Sequence, residues 1–161
     1  MNEFRVTKYD PTFRESSGAC THDEWSSFHD IGRSFDGVEL TRSEYQLVED
    51  AYVAAAIAFL RDSAVPQLVV RNLENAQGPA VSICEGDALA IEQVADVLRS
   101  VLRGEFWCRF EAPEAFVHVG WDYYMYVGVP HPCPAAQRKA EALGLYVEEF
   151  ASPYRGDPSG A

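Results

Sequence analysis

The residue types best suited to chemistry crowd into one short stretch, which holds Arg109, Glu111, His118, Asp122, Tyr123, Tyr124 and Tyr126. A glutamate, an arginine and a histidine on one face of an antiparallel sheet can serve as base, anion clamp and acid, a division of labour used by several small ribonucleases. Strand alternation puts Arg109 and Glu111 on the same face, whereas the register that would bring His118 beside them is not set by sequence. Glu111, Arg109 and His118 therefore form the catalytic set of a hydrolase or nuclease reading. Against it stands a half-exposed face on which Arg109 pairs with Glu111 and His118 is a satisfied sheet residue.

Other sets carry less. Cys20 with His22, and His131 with Cys133, could converge on a tetrahedral zinc, but one intervening residue is atypical spacing and the pairs lie in distant loops, so no metal is expected. Glu49 lies beside Tyr45 and Val53 along a helix, just ahead of the apolar run from Ala51 to Leu60. A carboxylate at that buried edge must find donors or shift its pKa, and a hydrogen bond to a tyrosine or to the preceding loop is expected. The chain has no glycine-rich phosphate loop and no GxSxG or HExxH signature, and no cofactor is implied.

Charge is the stronger signal. The 161 residues include 25 acids against 13 bases, a net charge of -12. From Thr21 to Leu60 there are eight acids and two bases, and from Asn72 to Leu98 five acids and no base. Such a field repels phosphate backbones over a Debye length of about 8 Å, which disfavours direct nucleic-acid binding. It attracts a basic protein partner and speeds the encounter, although acidity can also serve solubility alone. The expected contact set is Asp23, Glu24, Asp30, Glu39 and Glu44, with Trp25 or Tyr124 as aromatic anchors.

The elements that would position these residues follow from periodicity. Phe4 to Tyr9 alternates as a first strand, and Thr12 to Asp36 reads as a long ordered loop with one helical turn. Thr41-Arg42-Ser43-Glu44 has capping-box spacing and opens a central, mostly buried helix to about Asp62. Strands are expected at Gln67 to Leu73 and Ala80 to Cys84, and a second helix at Leu89 to Arg103. A meander of Glu105 to Glu111, Ala115 to Val119 and Tyr123 to Val129 follows. Pro132 and Pro134 open a third helix to Leu143, and Leu145 to Phe150 makes a last strand. The fold class is α+β: an antiparallel sheet with a three-stranded C-terminal meander, packed against two or three helices. Residues 1–155 are expected to form a single domain, with a frayed tail at 156–161.

The ten-residue apolar run is about half of what a membrane span needs, and no secretory signal opens the chain, so a reducing cytoplasm is expected. Four cysteines without CxxC spacing read as free thiols there.

Arg5-Val6-Thr7-Lys8-Tyr9, Val48-Glu49-Asp50-Ala51-Tyr52, Glu105-Phe106-Trp107-Cys108, the tract Gly120-Trp121-Asp122-Tyr123-Tyr124-Met125-Tyr126 and the closing Ser152-Pro153-Tyr154 together resemble a group of small bacterial proteins. That group is similar to the immunity proteins of polymorphic toxin systems, which are short, acidic and rich in exposed aromatics. The resemblance implies no catalytic residue. It implies a non-enzymatic toxin inhibitor that occludes the active cleft of a basic toxin domain. A mimic of DNA would share its electrostatics and differ in its target.

Overall fold

The computed structural model describes residues 1–76 and 82–156. In chain order the elements are β1 (Asn2–Thr7), β2 (Ser34–Phe35), β3 (Val38–Glu39), α1 (Arg42–Asp62), β4 (Gln67–Glu74), β5 (Ala88–Ala90), α2 (Ile91–Leu102), β6 (Trp107–Ala112), β7 (Ala115–Val119), β8 (Met125–Val129), α3 (Pro134–Ala142) and β9 (Tyr146–Glu149). Seven strands form one sheet in the order β5-β4-β6-β7-β8-β1-β9, every neighbouring pair antiparallel. The fold is α+β, and the expected meander is β6-β7-β8.

Register sorts the side chains into two faces. Phe110, Val117, Val127 and Phe4 face one another across four strands and join the hydrophobic core under the helices. The alternate row, His118 opposite Tyr126 and Tyr126 opposite Arg5, with Arg5 opposite Glu148, lies on the other face. The chain's last described residues cover part of that face. Tyr154 packs on Trp107, His118 and Tyr126, and the Arg155 guanidinium sits over the Phe116 ring. Glycine at position 128 is required here, because a Cβ would lie 2.2 Å from the Phe116 ring that covers it.

The helix α1 begins as expected: the Glu44 amide donates to Thr41 Oγ1, while Glu44 Oε2 accepts the Thr41 N–H. It is buried along most of its length by Tyr45, Glu49, Tyr52, Ala56, Phe59 and Leu60. Two expectations shift. Leu89 belongs to a strand, since Ala88–Ala90 pairs with the start of β4 before Gln93 accepts the Ala90 N–H and turns the chain into α2. Ser82–Cys84 forms no strand, and the rest of the one expected at Ala80 to Cys84 lies outside the described residues, as does nearly all of the expected frayed tail. The long loop holds two 3-10 turns, Pro11–Phe13 and Phe28–Asp30, and the β2-β3 hairpin. Asp36 (φ 50°) and Gly37 (φ 76°) form its two-residue turn, the left-handed pair that an Asp-Gly hairpin adopts.

Candidate functional site

Two polar regions stand out, and they differ in how their charge is compensated. The first is a groove of about 450 Å³ between the loop before β2, the β2-β3 hairpin and the N-terminal turn of α1. Asp23, Glu24, Trp25, Glu39 and Glu44 all line it, so the fold brings five of the seven expected contact residues together. Asp36 adds a fifth carboxylate that the sequence reading missed, and Asp23 Oδ2 accepts the Asp36 N–H at 2.7 Å, which ties the loop to the hairpin. Hydrogen bonds from the Thr41 backbone and hydroxyl hold Glu44 below the usual carboxylate range, so it is ionised at neutral pH. Val38, 63% exposed, supplies an apolar rim.

The only lysine or arginine of the groove's described lining is Lys8. Its ammonium lies 4.0 Å from the Tyr9 ring centroid, 4.2 Å from that of Trp25 and 3.5 Å from Glu24 Oε2. Burial pushes its pKa down to about 8, and Glu24 only partly offsets this. Trp25 is the groove's floor, packed on Tyr45 and Tyr123 at 5.4 and 5.1 Å.

Two expected contact residues lie elsewhere. Asp30 is turned inward and only 8% exposed, because Oδ2 accepts the Ser26 N–H and Oδ1 pairs with Arg33 at 2.8 Å. It braces the loop. Tyr124 is half-buried beside Tyr9, Arg5 and Arg14, outside the described lining of the groove.

The second region is the covered sheet face. His118, 1% exposed, has Nδ1 2.8 Å from Ser152 Oγ and Nε2 3.2 Å from Glu111 Oε1. A carboxylate only accepts, so the neutral imidazole carries its proton on Nε2 and Nδ1 accepts the Ser152 hydroxyl. Burial, reinforced by Arg109 and Arg155, pushes the His118 pKa down to about 3, so the ring is neutral at physiological pH. The polarity of the chain, serine to histidine to carboxylate, is that of an activated nucleophile. Ser152 is nonetheless 6% exposed, its Oγ also accepts the Tyr154 N–H at 3.3 Å, and Phe116 stacks on the imidazole at 4.2 Å. As built, the chain latches the C-terminal segment to the sheet. Arg109 lies over the rings of Trp107 and Tyr154. Sequence offered no signal for Ser152, which meets His118 only through the turn after β9.

Charge on this face is matched. Glu148 receives both Arg5 and Arg14, and Glu3 receives Arg155 and the Ser152 N–H. Between α1 and α2, Glu49 is fully buried. Arg103 bonds both its oxygens at 2.8 and 2.9 Å and Arg99 adds a third bond at 3.0 Å. Burial opposes ionisation, but the bonds from Arg103, Arg99 and Tyr45 overcome it and hold Glu49 below the usual range. The donor expected from a tyrosine is thus joined by two arginines.

Next to the meander, Trp121 is 78% exposed, not packed with Tyr123 as simple alternation would have it. Tyr123 adopts φ 64°, a conformation costing on the order of 1–3 kcal/mol for a bulky residue. Three tyrosines hold it there: Tyr9 Oη donates to the Asp122 carbonyl, Tyr52 Oη to the Tyr123 carbonyl, and Tyr123 Oη to Tyr45 Oη.

Among the described residues no group of three or more His, Cys, Asp or Glu is placed to hold a metal ion, and no helix is long and apolar enough to cross a membrane. No family model, curated protein or solved structure matches the chain.

Proposed function

We propose that the protein is an inhibitor that binds a basic protein partner, in the manner of an immunity protein occupying the active cleft of a toxin domain. The observation that carries this reading is the groove: five carboxylates, from Asp23, Glu24, Asp36, Glu39 and Glu44, line one open surface with a single ammonium and an apolar rim. Lysines and arginines of a nucleic-acid or phosphate cleft would find there the charge and the depth they normally receive from substrate. Association is fast and slows with salt, and truncating a carboxylate that becomes central in the complex costs about 2–5 kcal/mol.

Co-expression with the protein encoded directly upstream of its gene tests the reading. Protection of the cells by the wild-type chain, lost in an Asp23→Asn/Glu39→Gln/Glu44→Gln variant that still folds, is the expected result. Protection that survives the triple substitution puts the contact surface elsewhere, and no protection at all rejects the inhibitor.

A hydrolase reading retains one support, the Glu111–His118–Ser152 chain. It requires the C-terminal segment to leave the sheet, and it demands an esterase or nuclease rate that vanishes in His118→Ala while the groove variant keeps it.

A further inference from the structure

Besides the acidic groove, the molecule has a cavity of about 270 Å³ between the C-terminal end of α2, the start of β6 and the turn that precedes β8. We propose that this cavity binds an uncharged planar heteroaromatic small molecule, with Trp121 as a stacking lid at its rim.

Size sets the first limit. A cavity of about 150 Å³ suffices for a benzene ring, so this one has room for one or two fused rings and little more. Leu102, Phe106, Trp107 and Val119 give it an apolar wall. Ser27, His29 and Asn75 bring polar groups to the same space, the mix of apolar wall and few convergent hydrogen-bonding groups that marks a small-molecule site.

Charge sets the second. Among the described residues the lining holds no carboxylate, guanidinium or ammonium. An anion would meet the field of a chain carrying a net charge of -12, and a cation would find no counter-charge inside. A neutral ligand meets neither penalty.

Preorganisation is the third observation. The Trp107 indole N–H donates to the Val119 carbonyl at 2.8 Å, and the Gly120 N–H donates to the Tyr124 carbonyl at 2.7 Å, so the wall is fixed before any ligand arrives. The turn held by Tyr9, Tyr52 and Tyr45 places Trp121 at the mouth with its ring in solvent. An indole left exposed at the edge of an aromatic-walled cavity is placed to stack on whatever enters.

The chain's three tryptophans make the test internal. In the full-length protein labelled with 5-fluorotryptophan, Trp107 and Trp121 line the cavity, whereas Trp25 lines the acidic groove and meets the cavity indirectly, through the Tyr123 ring on which it packs. Titration with adenine and with indole is expected to shift the Trp107 and Trp121 fluorine resonances saturably, with a Kd of about 0.1–1 mM, and to move Trp25 far less. Benzoate and benzamidine, charged rings of similar size, are expected to bind at least about tenfold more weakly. Trp121→Ala alters an exposed side chain, so the protein keeps its fold, and it should weaken binding about tenfold as read from Trp107. The proposal is overturned by the absence of a saturable shift, by equal shifts at all three tryptophans, by charged rings binding as well as neutral ones, or by a Trp121→Ala variant that binds unchanged.

Discussion

The acidic groove and the covered sheet face are built from the same residue types and end in opposite electrostatic states. On the sheet face the guanidiniums of Arg5, Arg14, Arg109 and Arg155 stand among three glutamates, Glu3, Glu111 and Glu148, and the C-terminal segment closes over part of them. In the groove five carboxylates share the described lining with Lys8 as its one lysine or arginine, and Asp23, Asp36, Glu39 and Glu44 are exposed. Matched charge under a cover stabilises the native state, whereas unmatched charge in the open adds little stability and is free to attract a partner. The net charge of -12 is therefore gathered unevenly, which a count along the sequence could suggest but not locate.

The largest effect expected to sharpen this contrast is acid destabilisation through His118. Its folded pKa is about 3 and its ordinary value 6.5, so between those limits the unfolded chain binds a proton that the folded chain refuses. Stability therefore falls as the pH drops through that window, by on the order of 4 kcal/mol at its lower end. Glu49 and Glu148, whose pKa values lie below the usual carboxylate range, contribute stability that starts to be lost as the pH falls through the ordinary glutamate range and is gone below their own lower pKa values. Denaturant melts between pH 6.5 and 5 isolate the histidine. His118→Gln should flatten the slope there, and an unchanged slope would mean that the imidazole is not buried neutral.

A smaller loss is expected from Gly128→Ala on the same face, about 2 kcal/mol, because the Phe116 ring must give way to a Cβ at 2.2 Å. Thermal unfolding measures it, and Phe116→Ala in the same chain should relieve the clash. The smallest effect belongs to the groove. Glu39→Gln should change stability by no more than about 0.5 kcal/mol at any pH near neutrality, since the side chain is exposed. A loss as large as that of Gly128→Ala would show that the groove's charge is structural and erase the contrast between the two regions.

Much of the frame was legible because it rests on local signals. The capping box at Thr41 and Glu44, the apolar stripe of α1 and the alternation through β6, β7 and β8 each depend on neighbouring residues, and each appears within a few positions of where it was expected. The start of α2 was misjudged because pairing with β4, a tertiary event, claimed Ala88–Ala90 for the sheet. For the site, residue type was a better guide than position. Acidic and aromatic residues of the loop and of α1 do meet in one groove, but Asp30 could not be told from them, since only the fold reveals the Ser26 amide and the Arg33 guanidinium that claim it. The Asp36-Gly37 pair was a readable hairpin signal, and it would have brought Asp36 into the set. Ser152 was invisible for a different reason: its partner lies on a strand of another hairpin, and no local pattern encodes that encounter.

The place of β1 in the sheet bears on how the molecule comes into being. Its two hydrogen-bonded neighbours are β8 and β9, which lie far downstream of it in the chain. During synthesis β1 thus leaves the ribosome with both its edges vacant, and they stay so until β8 and β9 have followed it. Closure of the sheet is limited by long-range encounter, and the waiting edge is the stretch a chaperone would be called on to shield.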